Sequence, residues 1–464
     1  MAARPQNAPF QSKALQNTSE NKMNEIVDQL ARYVVNLEVA GVPDSTFHAA
    51  RRCLVDVLGC VAAGRGQPAV VLAHRWVERA YARGKSGVWF GEGRFCPVGA
   101  AFVNASAASI LDLDDGHRAA AGHPGAAIIP AVLAQGQEQG ADLQDMLLAI
   151  VAGYQVGIAC ASTRSVAAQA TVATGRWSAI GVAAALAKLR GFDAERTRHA
   201  LTIAESHAPN LLAADYSGFQ GGHVKEGIPW SVITGFAAAE LAGDGFRGYD
   251  AAFSNPARYG DWGAAACNES PPFFIDAVYF KRYACCRWLH SAVDAASKIV
   301  DRLPSGARIQ SIFIETFTRA ATLPNLAQPK DLISAQFSLP FVMAVALTHG
   351  LSALLPLKPH LLSDENVIRV AQTVEIKVSA QLDTMYPLKV PARVNIRSSH
   401  GYFEELVISP LGDYDNPLSD EQLVAKALLL AEKSRLVVSR SLLEELLEAK
   451  PTAETVFGAL DAAA

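Results

Sequence analysis

The stretch AFVNASAASILDLDDGHRAAAGHPGAAIIPAVLAQ, residues 101–135, constrains this chain more than any other. It opens on small residues over 101–110 that suit a helix closely approached by its neighbours. Six ionisable residues then fall within twelve positions: Asp112, Asp114, Asp115, His117, Arg118 and His123. The chain returns at once to an apolar run over 126–134. A fold that buries both flanks must carry the charges between them to the mouth of a pocket rather than to a solvated face.

Composition narrows what such a pocket takes. With 464 residues, half of them hydrophobic, the chain can build more than one sizeable core, and two domains are expected. Lysine and arginine (41) nearly balance aspartate and glutamate (45), with no long basic run. That leaves no electrostatic footprint for nucleic acid or an acidic membrane, and a small-molecule partner is expected instead. The seven cysteines, Cys53, Cys60, Cys96, Cys160, Cys267, Cys285 and Cys286, are scattered through mostly apolar sequence, as in a reduced cytoplasmic protein. No stretch reads as a membrane span; the most apolar, 146–161, is rich in Gly and Ala and suits a buried core helix. Residues 1–22 lack the apolar centre of a secretory signal and read as a disordered tail.

Helical spacing of Ile26, Val27, Leu30, Val34 and Leu37 predicts a first helix over 23–40. Pro43-Asp44-Ser45 opens a second that ends at Gly64, 70–82 continues the pattern, and 88–96 looks like a short extended connection. Helices over 143–161, 179–190, 193–206 and 231–242 are mostly rich in Ala and Gly, which permits close crossings in one large helical domain. The period then switches to two at Ile312, Ile314 and Thr316, at Val374, Ile376 and Val378, at Val394 and Ile396, and at Phe403 with 406–408. Helices over 288–303 and 338–348 interleave with these strands. Ser419 and Gln422 have the spacing of a capping box, and 423–460 is helical with an interruption at Pro451. The expected architecture is mainly α: a large all-helical domain over 23–274 plus 409–464, with a smaller α+β domain over 275–408 inserted in it.

Asp112, Asp114 and Asp115 follow the end of a predicted helix, where the dipole disfavours carboxylates, so a partner or a task must compensate. His123 sits in the tight turn Gly122-His123-Pro124-Gly125 ahead of an apolar helix, where an imidazole can shuttle a proton near neutral pH, cap the helix or fill space. His117 is the weaker candidate. No HExxH, CxxC or repeated histidine spacing supports a metal, and none is expected; nor is there a nucleotide-binding glycine motif or a GxSxG elbow. Lys225 lies in GGHVKEG with His223, ahead of a helix beginning near Pro229, a setting for an anion. Lys281, Arg282, Tyr283 and Cys285-Cys286 stand at the predicted domain junction, where ligand clefts tend to form; the paired cysteines read as packing.

LDLDDGHRAAAGHPGAAIIPAVLA resembles the signature of the MmgE/PrpD family, which includes 2-methylcitrate dehydratase, cis-aconitate decarboxylase and iminodisuccinate epimerase. HVKEGIPWSVITGFAAAELA, FKRYACCRWLHSAVDAA, SAQFSLPFVMAVALTHG and GYFEELVISPLGDYDNPLS agree in the expected order. The resemblance implies a homodimer without metal or organic cofactor, a helical domain built from both chain ends, and an α+β lid. By motif, Asp112 and His123 match the family's acid/base pair, and Lys225 and Lys281 its cleft lysines. Arg282, His223 and Tyr283 lie near them as candidate substrate contacts. Such lysines fit a di- or tricarboxylate, since each buried carboxylate needs a countercharge.

The chain departs from the family pattern at four places. Gly116 stands where many members carry Thr, Tyr or Ser, TVATGRWS (171–178, with Val172) replaces a His-containing motif, Phe341 replaces an aromatic hydroxyl, and Gly227-Ile228 replaces LeuHis. Arg176, Trp177 and His223 are candidates to restore lost polar function. The expected activity is a cofactor-independent lyase that dehydrates a 2-methylcitrate-like polycarboxylate, moving a proton at the carbon beside a carboxylate while His123 or Tyr283 serves the departing hydroxyl. Decarboxylation and epimerisation pass through the same kind of carbanion and stay open, as does a non-catalytic ligand-binding role.

Overall fold

The computed structural model describes residues 26–164, 173–211, 222–255, 258–260, 262, 273–449 and 451–462. The expected tail over 1–22 and the departure at Thr171 and Val172 lie outside the described residues. The chain is mainly α with a smaller α+β part. Helices α1 (26–36), α2 (Asp44–Gly64) and α3 (Pro68–Ala80) precede a minimal hairpin of β1 (Ser86–Gly87) and β2 (Arg94–Phe95), then α4 (Pro97–Ser109). Beyond the two-residue β3 (Gly116–His117) come α5 (Gly125–Gln139), α6 (Leu143–Ser162), α7 (Gly175–Leu189), α8 (Ala194–His207) and α9 (Ile228–Gly243).

Small side chains decide how these helices meet. α6 and α7 cross at Gly153 and Gly181: a Cβ on Gly153 would stand 2.8 Å from the Gly181 carbonyl oxygen, and one on Gly181 2.9 Å from that of Gly153. Any larger residue at either position would force the helices apart, which would open the core they share. Contrary to the sequence reading, α6 is long and apolar enough to cross a membrane by length and composition. Its sides are instead covered by α2, α5 and α7, and it is buried almost throughout.

After β4 (Val278–Tyr279) and α10 (His290–Val300), a four-stranded sheet forms from β5 (Ile309–Thr316), β6 (Val374–Val378), β7 (Ala392–Ser398) and β8 (Gly401–Val407), in the order β6-β5-β7-β8. Ile312, Ile314, Val394 and Ile396 are buried, and α10 packs on β7 and β8. All four strands stand where residue alternation puts them. The parallel β5–β6 pair is an addition, its crossover carrying α11 (Leu339–His349) and α12 (Glu365–Ala371).

The chain then returns: α13 (Asp420–Lys433) packs on α2, and Ser419 and Gln422 form the capping box that their spacing predicts. The helical run expected to break only at Pro451 also breaks between α13 and α14 (Arg440–Leu447). There Arg435 is left-handed (φ 58) and the Leu436 N–H donates to the Ala431 carbonyl at 2.9 Å, closing the C-terminal turn. α15 (Ala453–Ala462) follows.

Candidate active site

Asp112 comes just after α4 ends, in left-handed backbone (φ 55), a conformation that a non-glycine residue keeps only where its surroundings hold it. β3 pairs antiparallel with β4, Gly116 opposite Tyr279 and His117 opposite Val278. That short ladder carries Lys281, two residues beyond β4, to Asp112. Lys225 arrives from another side on the turn Lys225–Gly227, whose three residues have φ of 38°, 57° and 72° ahead of α9. The fold thus gathers Asp112, His123, Lys225 and Lys281, all buried.

Lys225 Nζ lies 2.6 Å from Asp112 Oδ1 and Lys281 Nζ 3.1 Å from Oδ2. Lys281 also donates to the Asp112 carbonyl at 3.1 Å and stands 3.4 Å from His123 Nε2. Burial works against the Asp112 carboxylate, but the two ammonium groups outweigh it and hold this carboxyl far below the usual range. Burial likewise opposes the Lys281 charge, and Asp112 outweighs it, keeping Lys281 firmly protonated. Lys225, expected as a free anion site beside a helix start, is instead already paired with this internal carboxylate.

The other two aspartates are buried as well, as a pocket rather than a solvated face requires. Asp114 is fully buried, neither carboxyl oxygen has a hydrogen-bond partner among the described residues, and burial pushes its pKa up, favouring the neutral form. The Asp115 carbonyl lies 2.7 Å from His123 Nδ1. A carbonyl can only accept, so Nδ1 bears the hydrogen and Nε2 is the atom presented to Lys281. The Asp115 carboxylate accepts from the Tyr154 hydroxyl at 2.7 Å and the Gly125 N–H at 2.9 Å, and burial raises it to about 7.

Three residues that the sequence reading passed over complete the surround. The Thr174 hydroxyl accepts from the His123 N–H at 3.2 Å and donates to Glu226 Oε2 at 2.6 Å, tying the histidine turn to the lysine turn. Gln336 accepts from Lys225 Nζ at 3.2 Å and donates to the Ile110 carbonyl at 3.0 Å. Each lies in a stretch that stands out in the sequence, Thr174 in TVATGRWS, Glu226 in GGHVKEG and Gln336 in SAQFSLP, but only the fold shows which side chain in each reaches the cluster.

Other expected contacts are not brought in. The Tyr283 hydroxyl donates to Asp294 Oδ1 at 2.7 Å and Arg282 Nη1 lies 3.3 Å from the same oxygen, so both serve Asp294 rather than the Asp112 cluster. His223 is exposed; with Trp76, Phe102 and Trp230 it lines a cavity of about 250 Å³ that touches Lys225 but neither Asp112 nor His123. Arg176 is committed to Glu205, with which it pairs and to whose carbonyl it donates at 2.9 Å. Trp177 is buried with no partner for its indole N–H among the described residues, and Phe341 is core. Burial pushes the Cys286 thiol up to about 12, in keeping with packing. Clefts of about 820 and 680 Å³, one along α15 and one between α3 and Lys433, hold none of these residues. Among the described residues no three His, Cys, Asp or Glu side chains converge as metal ligands.

Gly116 has a steric reason. A Cβ there would stand 2.2 Å from the Tyr279 hydroxyl oxygen and 2.3 Å from its Cζ, and the Arg287 guanidinium lies 4.4 Å from that ring's centre. Gly116→Ala is therefore expected to destabilise the fold by about 1–3 kcal/mol, as overpacking does. Urea unfolding measures it; an unchanged midpoint would show that the phenol moves aside at no cost.

His117 is buried, edge-on to Phe274 at 5.5 Å between ring centres, and its Nδ1 has no partner among the described residues. Burial, then Arg118 and Arg287, lower its pKa from 6.5 to about 4. The unfolded chain takes up this proton first, so the stability it contributes is whole above pH 6.5 and is lost as pH falls towards 4. The slope is at most about 1.4 kcal/mol per pH unit. Across that window His117→Phe should show a shallower loss of stability than wild type; identical pH profiles would contradict this role.

A family model described as the MmgE/PrpD N-terminal domain matches residues 28–269, and one described as the MmgE/PrpD C-terminal domain matches 283–447. The cis-aconitate decarboxylase-like protein oryM of Aspergillus oryzae is 23% identical over 453 residues, covering 89% of this chain and 92% of its own. A cis-aconitate decarboxylase of Aspergillus terreus is 25% identical over 467 residues, covering 90% and 91%. The human cis-aconitate decarboxylase is 26% identical over 297 residues, 60% of each chain.

Proposed function

This chain belongs to the MmgE/PrpD family, and on that premise we propose that it is a lyase for a small polycarboxylate. In this reading His123 exchanges a proton with substrate carbon, and Lys225 and Lys281 hold substrate carboxylates. The observation that carries it is unmatched charge: two buried ammonium groups share one ionised carboxylate, Asp112, and one of them stands against His123 Nε2. A substrate with two or three carboxylates supplies the missing negative charge, and Asp112 spaces the lysines for it.

Decarboxylation of a cis-aconitate-like substrate fits best. The bond to the departing carboxylate breaks and carbon dioxide leaves. The freed electron pair shifts through the adjoining alkene, and the far carbon takes one proton from His123 Nε2, which is bare in the free protein and takes that proton up from water once the substrate's carboxylates are bound. The lysines oppose the negative charge that spreads over the remaining carboxylates as this happens. The relatives named as cis-aconitate decarboxylases support this choice. So does Tyr283, whose commitment to Asp294 removes the donor that dehydration would use at a departing hydroxyl. Dehydration of a 2-methylcitrate-like acid, the expectation from sequence, is the second reading and asks His123 to serve both carbon and oxygen. The same proposal makes 275–408 a lid over the helical part and the protein a cytoplasmic homodimer, the latter checked by sedimentation velocity.

Carbon NMR of the protein with cis-aconitate, citrate, 2-methylcitrate and iminodisuccinate tests the reading. The expected result is loss of one carboxyl carbon from cis-aconitate. A new alkene from 2-methylcitrate with no carbon lost would select dehydration, and silence across all four with the protein folded would overturn the lyase reading.

A further inference from the structure

We propose that the buried pair Lys426–Asp56 is a positioning device for the acid/base centre, acting through the backbone of Leu113; the inference rests on the function proposed above. Lys426 comes from α13 and Asp56 from α2, on opposite ends of the chain. Lys426 Nζ donates to Asp56 Oδ1 at 2.6 Å and to the Leu113 carbonyl at 2.8 Å. The pair is deep in the protein, with Asp56 1% and Lys426 8% exposed. A buried ion pair kept only for stability is often replaceable by apolar side chains of similar volume at little loss. Here the ammonium makes a second bond, and that bond falls on the loop carrying Asp112.

Three of four consecutive carbonyls in that loop are held by side chains: Asp112 by Lys281, Leu113 by Lys426 and Asp115 by His123. Holding the Leu113 carbonyl fixes the Leu113–Asp114 peptide plane, one residue beyond the left-handed Asp112 whose own carbonyl Lys281 holds. The directions in which Asp112 meets its two lysines, and in which Asp114 lies 3.9 Å from His123 Nδ1, follow from that plane. No bond joins Lys426 to Asp112 or His123, so its influence on them passes through the backbone.

The test compares wild type with Lys426→Met and, because that change leaves Asp56 buried and unpaired, with the neutral double variant Asp56→Asn/Lys426→Met. By hydrogen exchange with mass spectrometry, peptides spanning 112–117 of the double variant should exchange faster while those of α6 and α7 keep their protection. With the substrate that wild type turns over, kcat should fall about a hundredfold at unchanged KM, as when reacting groups are displaced by about an ångström. A lower melting temperature with unaltered loop exchange and unaltered kcat would overturn the inference and leave the pair a stability element. Should wild type turn over no polycarboxylate, the proposed function fails, whereas the exchange readout still decides whether Lys426 holds the loop.

Discussion

His123→Ala should lower kcat by between about 100- and 10,000-fold, the range that a general acid/base contributes. The fold should survive. The turn is held by main-chain bonds that the substitution leaves in place: the His123 N–H to Thr174, and the His117 N–H to the Gly122 carbonyl at 2.9 Å. What goes is the imidazole link between the Asp115 carbonyl and the face of Lys281, a loss of about one hydrogen bond or roughly 1 kcal/mol. Turnover and thermal melting on one preparation separate the two effects. A variant that melts like wild type and keeps full turnover would remove His123 from the chemistry.

Asp112→Ala carries the largest expected stability effect, a loss of about 3–5 kcal/mol, because removing one partner of a buried ion pair leaves uncompensated charge. Here two ammonium groups are left, from Lys225 and Lys281, 3% and 1% exposed. Because the folded carboxyl is held below its usual 3.8, its stabilisation is present above that pH and is lost only as pH falls below it. The gap between variant and wild type should therefore stay constant from neutrality down to about pH 5 and close only in strong acid. Adding Lys225→Met to Asp112→Ala should recover part of the loss, since the two changes meet at one contact. Equal urea midpoints for wild type and Asp112→Ala would contradict the charge arrangement drawn above.

Much of the architecture was legible because burial writes itself as a period. α2 begins behind Pro43 and ends at Gly64 as its apolar spacing requires, and Ile312, Ile314, Val394 and Ile396 alternate because one sheet face is covered. In residue pattern Lys225 and Lys281 show as cations at a turn and at a junction, and the family resemblance adds that they face one cleft. Their shared partner does not show, since a ladder of two residue pairs is too short to leave a period. Tyr283 sits two positions from Lys281, but the chain bends over 282–285 and delivers it to Asp294. His223 is as close to Lys225 in sequence, yet it remains on the surface. Lys426 did leave a signal: it occupies the buried stripe of Leu423, Ala427 and Leu430, where a lysine is stable only when paired. Its partner Asp56, on the far side of the chain, could not be named without the fold.

The central claim, that His123 hands a proton to carbon beside a carboxylate, is tested most directly by NMR of cis-aconitate turnover in deuterium oxide. Wild-type product should carry one solvent-derived deuterium at the carbon that gained the proton. Under the same conditions His123→Ala, folded by circular dichroism, should form that product at least about 100-fold more slowly. The same deuterated product made by His123→Ala at the wild-type rate would contradict the claim and assign the proton transfer to another residue.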